Sequence, residues 1–537
     1  MKGKRYSTVP VTVVLAAMML CFCLASCGGE AARDEGEVEG GTLRTCVIGD
    51  PASLDPTRLE DVEDIRIAGL IFDGLMRRDP ETLELEPAMA RYCDISEDAT
   101  VFTFHLRRDV GFQNGRRCTA EDFVYSWNRL CDPDIGGGAA HHLEAVKGYE
   151  EVTGGRTAEL EGVKALDEYT LEVALSYPHA EFASYTAHPA LSPVPREVVE
   201  EYGSESFGDH PVGTGPFEFV EWRHLDRVEL RRNPDYYGDE KPRLDGLIFG
   251  IYPDREAAFL EFVAGALDES PVPPQLLSSA EDDYGDLVVT VNVPGLYYLG
   301  FNLNTEPWRS SRLLRQALNY AIDKGVLSEA VMEGACREAV GIVPPGTVGY
   351  QADACDYGYD PVRAAELVAE AGYPNGGGLP AITLCYPVGE VWEEIAGVLR
   401  EDLAGLGLEV LTEGYTEDTY TNLIANDRIS LFVMEFRPYY PIMDAYLAPL
   451  FYPYNTSEDW FKYSSPEVDD IISQARGMVE EGLRLELYRG AERLVLEDAS
   501  LVPLMFGTRS RVHAERVGGY LLTATDYIPY ELVYLER

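Results

Sequence analysis

Val101-Phe-Thr-Phe-His-Leu106 and, a short connection later, Thr119-Ala-Glu-Asp-Phe-Val-Tyr-Ser-Trp127 decide the fold class of this chain. In the first, Phe102, Phe104 and Leu106 fall on one face at a period of two, the pattern of a half-buried strand. In the second, a threonine with an acid three residues on makes a capping arrangement, and Phe123, Val124 and Trp127 continue into a helix. The alternation recurs. Thr170-Leu-Glu-Val-Ala-Leu175 places Leu171, Val173 and Leu175 on one strand face. Residues 361–371 read as the best-defined helix, with Asp360 as cap, Pro361 in the first turn, Gly372 as left-handed exit and Pro374 blocking resumption. Residues 312–332 keep helical period through Leu314, Leu318, Ala321 and Ile322. No 20–50-residue repeat is visible. The class predicted is α/β in the mixed α+β sense.

Around these elements the composition sets limits. The chain has 537 residues, with 44 Lys+Arg against 92 Asp+Glu and a net charge of −48. Such a polyanion is repelled by phosphate backbones, which excludes nucleic-acid binding through a basic face. It likewise disfavours adhesion to anionic lipid by basic residues. Disorder is excluded too, because hydrophobic residues are 46% and aromatics 11% of the chain, enough for large cores. The length predicts two to four domains.

Residues 1–26 have the layout of an export signal. Lys2, Lys4 and Arg5 are the only charged residues before Cys27, and an apolar run follows from Val9 to Ala25. An uncleaved anchor is the alternative, but the run is at the short limit of the ~20 residues that span a bilayer. Leu24-Ala-Ser-Cys27 resembles the bacterial lipobox, which implies lipid on the Cys27 thiol and cleavage just before it. Residues 27–42, Gly- and Glu-rich without apolar period, read as a flexible tether. Seven cysteines follow Cys27, none in C-x-x-C spacing. Cys336 and Cys355 are a candidate local pair, with connectivity open.

Catalytic motifs are scarce. The chain has no G-x-S-x-G, S-x-x-K, H-E-x-x-H or G-x-x-x-x-G-K, so an enzyme is not expected, and neither is a metal or cofactor. His141-His142 reads as solvated loop, since adjacent side chains point differently. Asp132-Pro-Asp134 before three glycines reads as a turn rather than a Ca²⁺ loop, because the later acidic ligands are missing.

A series of weak motifs, in order over about 490 residues, resembles the family 5 extracellular solute-binding proteins of ABC importers. They are Ser53-Leu-Asp-Pro56, Ile71-Phe-Asp-Gly-Leu75, Phe112-Gln-Asn-Gly115, Pro211-Val-Gly-Thr-Gly-Pro-Phe217, Asn233-Pro-Asp-Tyr-Tyr237, Phe301-Asn302, Arg315-Gln-Ala-Leu318 and Ala369-Glu-Ala-Gly-Tyr-Pro374. The resemblance implies a two-lobed, type II periplasmic-binding-protein-like fold with an extra domain inserted in lobe one. Lobe one is then 43–72, 178–287 and 506–537, the inserted domain 73–177, and lobe two 288–505, with the hinge at chain crossings near 287 and 505. It further implies a monomer at the outer face of the cell membrane, or in a periplasm, that hands a peptide or peptide-like solute to permease and ATPase subunits.

In peptide-binding relatives an acid within an aromatic-x-x-Asp-Tyr-Pro-Asp-Pro stretch pairs with the ligand's α-ammonium. The matching stretch here is Phe436-Arg-Pro-Tyr-Tyr-Pro-Ile-Met443, with Tyr439 at the acid's position and no second acid. Arg437 is instead a candidate fork for a carboxylate or phosphate, and Asp444 is near enough to substitute on another register. The resemblance also makes Glu60, Val62, Asn302, Phe436, Tyr439 and Tyr440 candidate cleft residues, with Tyr297 and Tyr298 as aromatic lining. Same-fold receptors for a nickel chelate, oligosaccharide or opine, and a sensor or chaperone lipoprotein uncoupled from import, are the alternatives.

Overall fold

The computed structural model describes residues 37–38, 40–59, 61–453 and 460–536. Residues 1–26, where the export signal is expected, Cys27 and Glu60 lie outside them. Three main sheets organise the chain. Thr42–Ile48, Gly246–Tyr252, Arg227–Arg232 and Phe217–Arg223 form a four-stranded sheet in that order. Its first two strands are parallel and nearly 200 residues apart in sequence, so a long crossover must join them.

Within that crossover lies an antiparallel sheet ordered Ala90–Ile95, Val101–Leu106, Thr170–Ala174 and Val163–Asp167. Phe104 faces Leu171 and Phe102 faces Val173 across its central pair. All four are fully buried, as the period of two predicts, each contributing on the order of 1.5–3 kcal/mol relative to exposure. The helix Ala120–Leu130 covers this core. The Asp122 carboxylate accepts the Thr119 N–H at 2.8 Å, and Phe123 and Trp127 point inward without exposure. Both sheets share one continuous hydrophobic core with residues 517–535.

The third sheet runs Glu269–Pro271, Leu501–His513, Val288–Phe301, Leu431–Phe436, Ile382–Pro387 and Val410–Tyr415, with Cys336–Glu338 also on Leu501–His513. Its two long strands pair in two sections. Val288 to Asn292 oppose Val512 to Thr508, the register then breaks, and Leu296 to Gly300 oppose Phe506 to Leu501. Pro294, which cannot donate to a ladder, sits in the break. Beyond it the strand gains Leu431–Phe436 as its other neighbour. Alternate residues then feed two separate cores, Leu296 and Tyr298 on one face and Tyr297, Leu299 and Phe301 on the other.

The helix Pro361–Glu370 forms as expected, with Asp360 accepting from the Arg363 N–H at 2.9 Å. The expected helix over 312–332 does not run through. It ends at Ala321, because the Asp323 carboxylate accepts from the N–H groups of Gly325 and Val326 and starts a new turn. The Cys336–Cys355 pair is not formed. All seven cysteines among the described residues are free thiols. Cys336 is buried in its short strand, where burial pushes its thiol up to about 12, while the Cys355 sulfur accepts from the Tyr357 N–H. No described helix is long and apolar enough to cross a membrane.

Candidate functional site

Residues 437–443 connect Leu431–Phe436 to the helix Asp444–Phe451. Pro438 and Pro441 interrupt regular hydrogen bonding, so the segment bulges from the sheet. Opposite it stand the helix Val62–Ile71, the short hairpin Met76–Arg78 with Leu85–Pro87, and residues 184–189. Between these walls lies a cavity of about 510 Å³, with Val293 and Pro294 of the long strand at its base. Gly74 lets two of the walls approach, since a Cβ there would lie 2.2 Å from the Thr186 carbonyl oxygen.

The structure brings four sequence-predicted residues to this cavity. Val62 is the first residue of its helix, capped by Asp61, whose carboxylate accepts from the Glu63 and Asp64 N–H groups at 2.9 Å. It is 50% exposed. Arg437 is held by Glu435, and Tyr439 is 51% exposed. Tyr440 is buried, stacked on Tyr185 at 4.3 Å between ring centroids, and its hydroxyl is 2.8 Å from His142 Nδ1.

Other candidates lie elsewhere. Asn302 is fully buried and works as a strut: its Nδ2 donates to Asp427 at 2.9 Å and to the Ile429 carbonyl at 3.3 Å. Phe436 packs edge-on to Tyr446 in a core. Tyr297 and Tyr298 also pack into the cores on either side of the sheet rather than lining the cavity. Asp444 cannot stand in for the missing acid. It is 1% exposed and fully engaged by Arg476 at 2.8 and 3.0 Å and by the Tyr488 hydroxyl at 2.8 Å. The expectation of a solvated His141-His142 pair holds for the exposed His141 and is overturned for His142. His142 is buried against Tyr440, with the His188 ring at 4.5 Å, and burial together with His188 and His141 holds it well below its ordinary pKa.

Several cavity groups were not singled out in the sequence. Burial pushes the Asp73 carboxyl up to about 6 against the opposing hydrogen bonds of Tyr237 and Tyr236. Burial, with Asp73 nearby, pushes Glu531 up to about 7. Arg78 and His188 line the cavity as well. Asp73 lies in the Ile71-Phe-Asp-Gly-Leu75 motif, but nothing local shows that it meets His188 and Glu531, each more than a hundred residues further along the chain.

Residues 84–458 match the family model described as bacterial extracellular solute-binding proteins, family 5. The chain belongs to that family. It is 28% identical over 526 residues to the dipeptide-binding protein DppE of Bacillus subtilis (strain 168), covering 95% of each chain. It is 26% identical over 544 residues to heme-binding protein A of Haemophilus influenzae, covering 96% of this chain and 97% of that one. Among solved structures, the unliganded open form of the periplasmic murein tripeptide binding protein MppA superposes with a TM-score of 0.85 at 25% identity, over 94% of this chain and 99% of that one. The two-lobed, mixed α/β fold of family 5 binding proteins is therefore the fold of this chain.

Proposed function

We propose that this family 5 protein is the substrate-binding component of an ABC importer, capturing peptides or peptide-like solutes and delivering them to a membrane permease. The observation that carries the reading is the cavity walled from both sides of the paired long strands, within the ~300–1,000 Å³ usual for small-molecule sites. The dipeptide- and tripeptide-binding relatives support the cargo. In this reading lobe one is 43–72, 178–287 and 506–537, the inserted domain 73–177 and lobe two 288–505. Closure bends the chain crossings, with the register break between Asn292 and Leu296 as the compliant point. Solute favours the closed state only by contacts it gains there, and the likeness to an open, unliganded relative supports reading this cavity as the open state. Acylated Cys27 anchors the protein at the outer face of the membrane, and the acidic surface keeps the tethered body soluble.

With Tyr439 in place of an acid, Arg437 is the lobe-two group with most to offer an anionic solute. Calorimetry with glutathione, which carries two carboxylates, tests this. Arg437→Ala is expected to weaken binding about tenfold and Tyr439→Phe less than threefold, the difference between a charged and a neutral hydrogen bond. Equal, negligible effects would remove both residues from the site.

A further inference from the structure

Among the buried donors of the cavity wall that have no partner, Arg66 Nε belongs to a guanidinium already paired with Glu63, which leaves one on His188 and one on Arg78. His188 precedes the turn Pro189–Leu191, and its Nδ1 accepts the Ala190 N–H at 3.1 Å. A ring nitrogen that accepts carries no proton, so the hydrogen of the neutral imidazole is on Nε2. The ring is 7% exposed and Nε2 makes no hydrogen bond. Burial, reinforced by His141, holds its pKa at about 3, so the imidazole stays neutral. Arg78 is the second donor. Its Nη1 donates to the Leu83 carbonyl at 2.8 Å, its buried Nη2 has no partner, and no described carboxylate lies within ion-pair distance. The acidic groups acting on it are Glu181 and Tyr440, and burial outweighs them, lowering its pKa. Glu181 is itself shared with Arg484 at 3.6 Å.

A desolvated guanidinium without a counter-ion is costly, and buried charges are ordinarily paired. Arg78 and His188 both line the cavity, which offers an anionic group an approach to them. We propose that Arg78 and His188 form a carboxylate-receiving subsite of the cavity, the guanidinium supplying charge and the imidazole Nε2–H a directed second donor. The proposal rests on the cavity being the solute site. The rings of His142 and Tyr439, at 4.5 and 5.8 Å from that of His188, shield the subsite from water and strengthen both bonds. The same tautomer argues against metal ligation. Coordination at Nε2 would move the proton to Nδ1, where it would meet the Ala190 N–H.

The test uses the full chain and three probes, trialanine, its C-terminal amide and glutarate, in calorimetry and thermal-shift assays. Trialanine should bind at least tenfold more tightly than the amide, as loss of a charge-assisted pair predicts. Arg78→Gln should reduce that preference to less than threefold. His188→Phe should weaken trialanine binding several-fold while His188→Gln, which keeps a donor, restores it. Arg78→Lys, retaining the charge, guards against a folding defect in Arg78→Gln. Equal binding of acid and amide by the unsubstituted protein, or an unchanged preference in Arg78→Gln, overturns the subsite and leaves the peptide reading standing. If neither peptide binds but glutarate stabilises the protein in an Arg78-dependent way, the peptide reading falls and the subsite stands. No response to any probe overturns both.

Discussion

Asp444→Asn is expected to destabilise the protein by about 3–5 kcal/mol, the cost of removing one partner from a buried ion pair. Arg476 grips Asp444 with Nε at 2.8 Å and Nη2 at 3.0 Å, and its own side chain is 12% exposed. An amide cannot match the charge and leaves that guanidinium desolvated without a counter-ion. Tyr488 loses its acceptor as well. The cluster also ties residues 179–180 to the helices Asp444–Phe451 and Pro466–Arg476: His179 lies 3.7 Å from Asp444, and the Ala180 N–H donates to the Arg476 carbonyl at 2.6 Å. Replacing both charges, as in Asp444→Leu with Arg476→Met, should recover most of the loss, since well-packed apolar groups can substitute for a buried pair. Urea denaturation measures both variants. A loss below about 1 kcal/mol in the single variant would show that the cluster does not hold these segments together.

The second large effect belongs to Glu269→Gln. Glu269 is fully buried and receives Arg511 at 2.8 and 3.0 Å, the Tyr530 hydroxyl at 2.8 Å and the Thr45 hydroxyl. It therefore fastens Thr42–Ile48, Leu501–His513 and the C-terminal segment to one point. A loss of about 3–5 kcal/mol is expected, for the same reason as at Asp444. Burial alone would push this carboxyl up, but the charge and hydrogen bonds of Arg511, with Arg66 behind, overcome it and hold the group at about 2. Asp444 is likewise held at about 2 against burial by Arg476.

The sign of the pH effect follows. An unfolded carboxyl titrates near ~4, so these two groups contribute stability that is full above about pH 4 and is lost as pH falls through 2. Glu181 and Glu531 act in the opposite sense. Burial raises both to about 7, so their contribution is full below about pH 4 and is lost as pH rises through 7. The joint contribution of these four carboxyls is therefore greatest near ~pH 4–5 and declines on both sides. Glu269→Gln should flatten the acid limb, and Glu181→Gln the neutral one. A urea midpoint that stays constant from pH 4 to pH 2 would contradict the assignment.

What could be read from the sequence was what neighbours in the chain decide. The strand at 101–106 and the helix after Asp360 depend on side-chain alternation and a cap, and both formed. The break at Asp323 is not legible in the sequence because apolar spacing continues through it while a single carboxylate captures two backbone donors. The cavity was less legible. Val62, Arg437, Tyr439 and Tyr440 could be located by resemblance, but Asn302 turned out to be a strut and Asp444 a buried counter-ion. Whether an acid is free or engaged depends on Arg476, 32 residues away. His142 owes its burial to Tyr440, 298 residues away. Such partners exist only once the halves have folded together.

The central claim, that the cavity carries peptide-like cargo, is tested most directly by native mass spectrometry of the protein purified without denaturation. A population of complexes with short peptides of mixed sequence, released when the protein is unfolded, is expected. A single defined non-peptide compound in the complex, or a protein that remains empty after incubation with a peptide mixture, would contradict it.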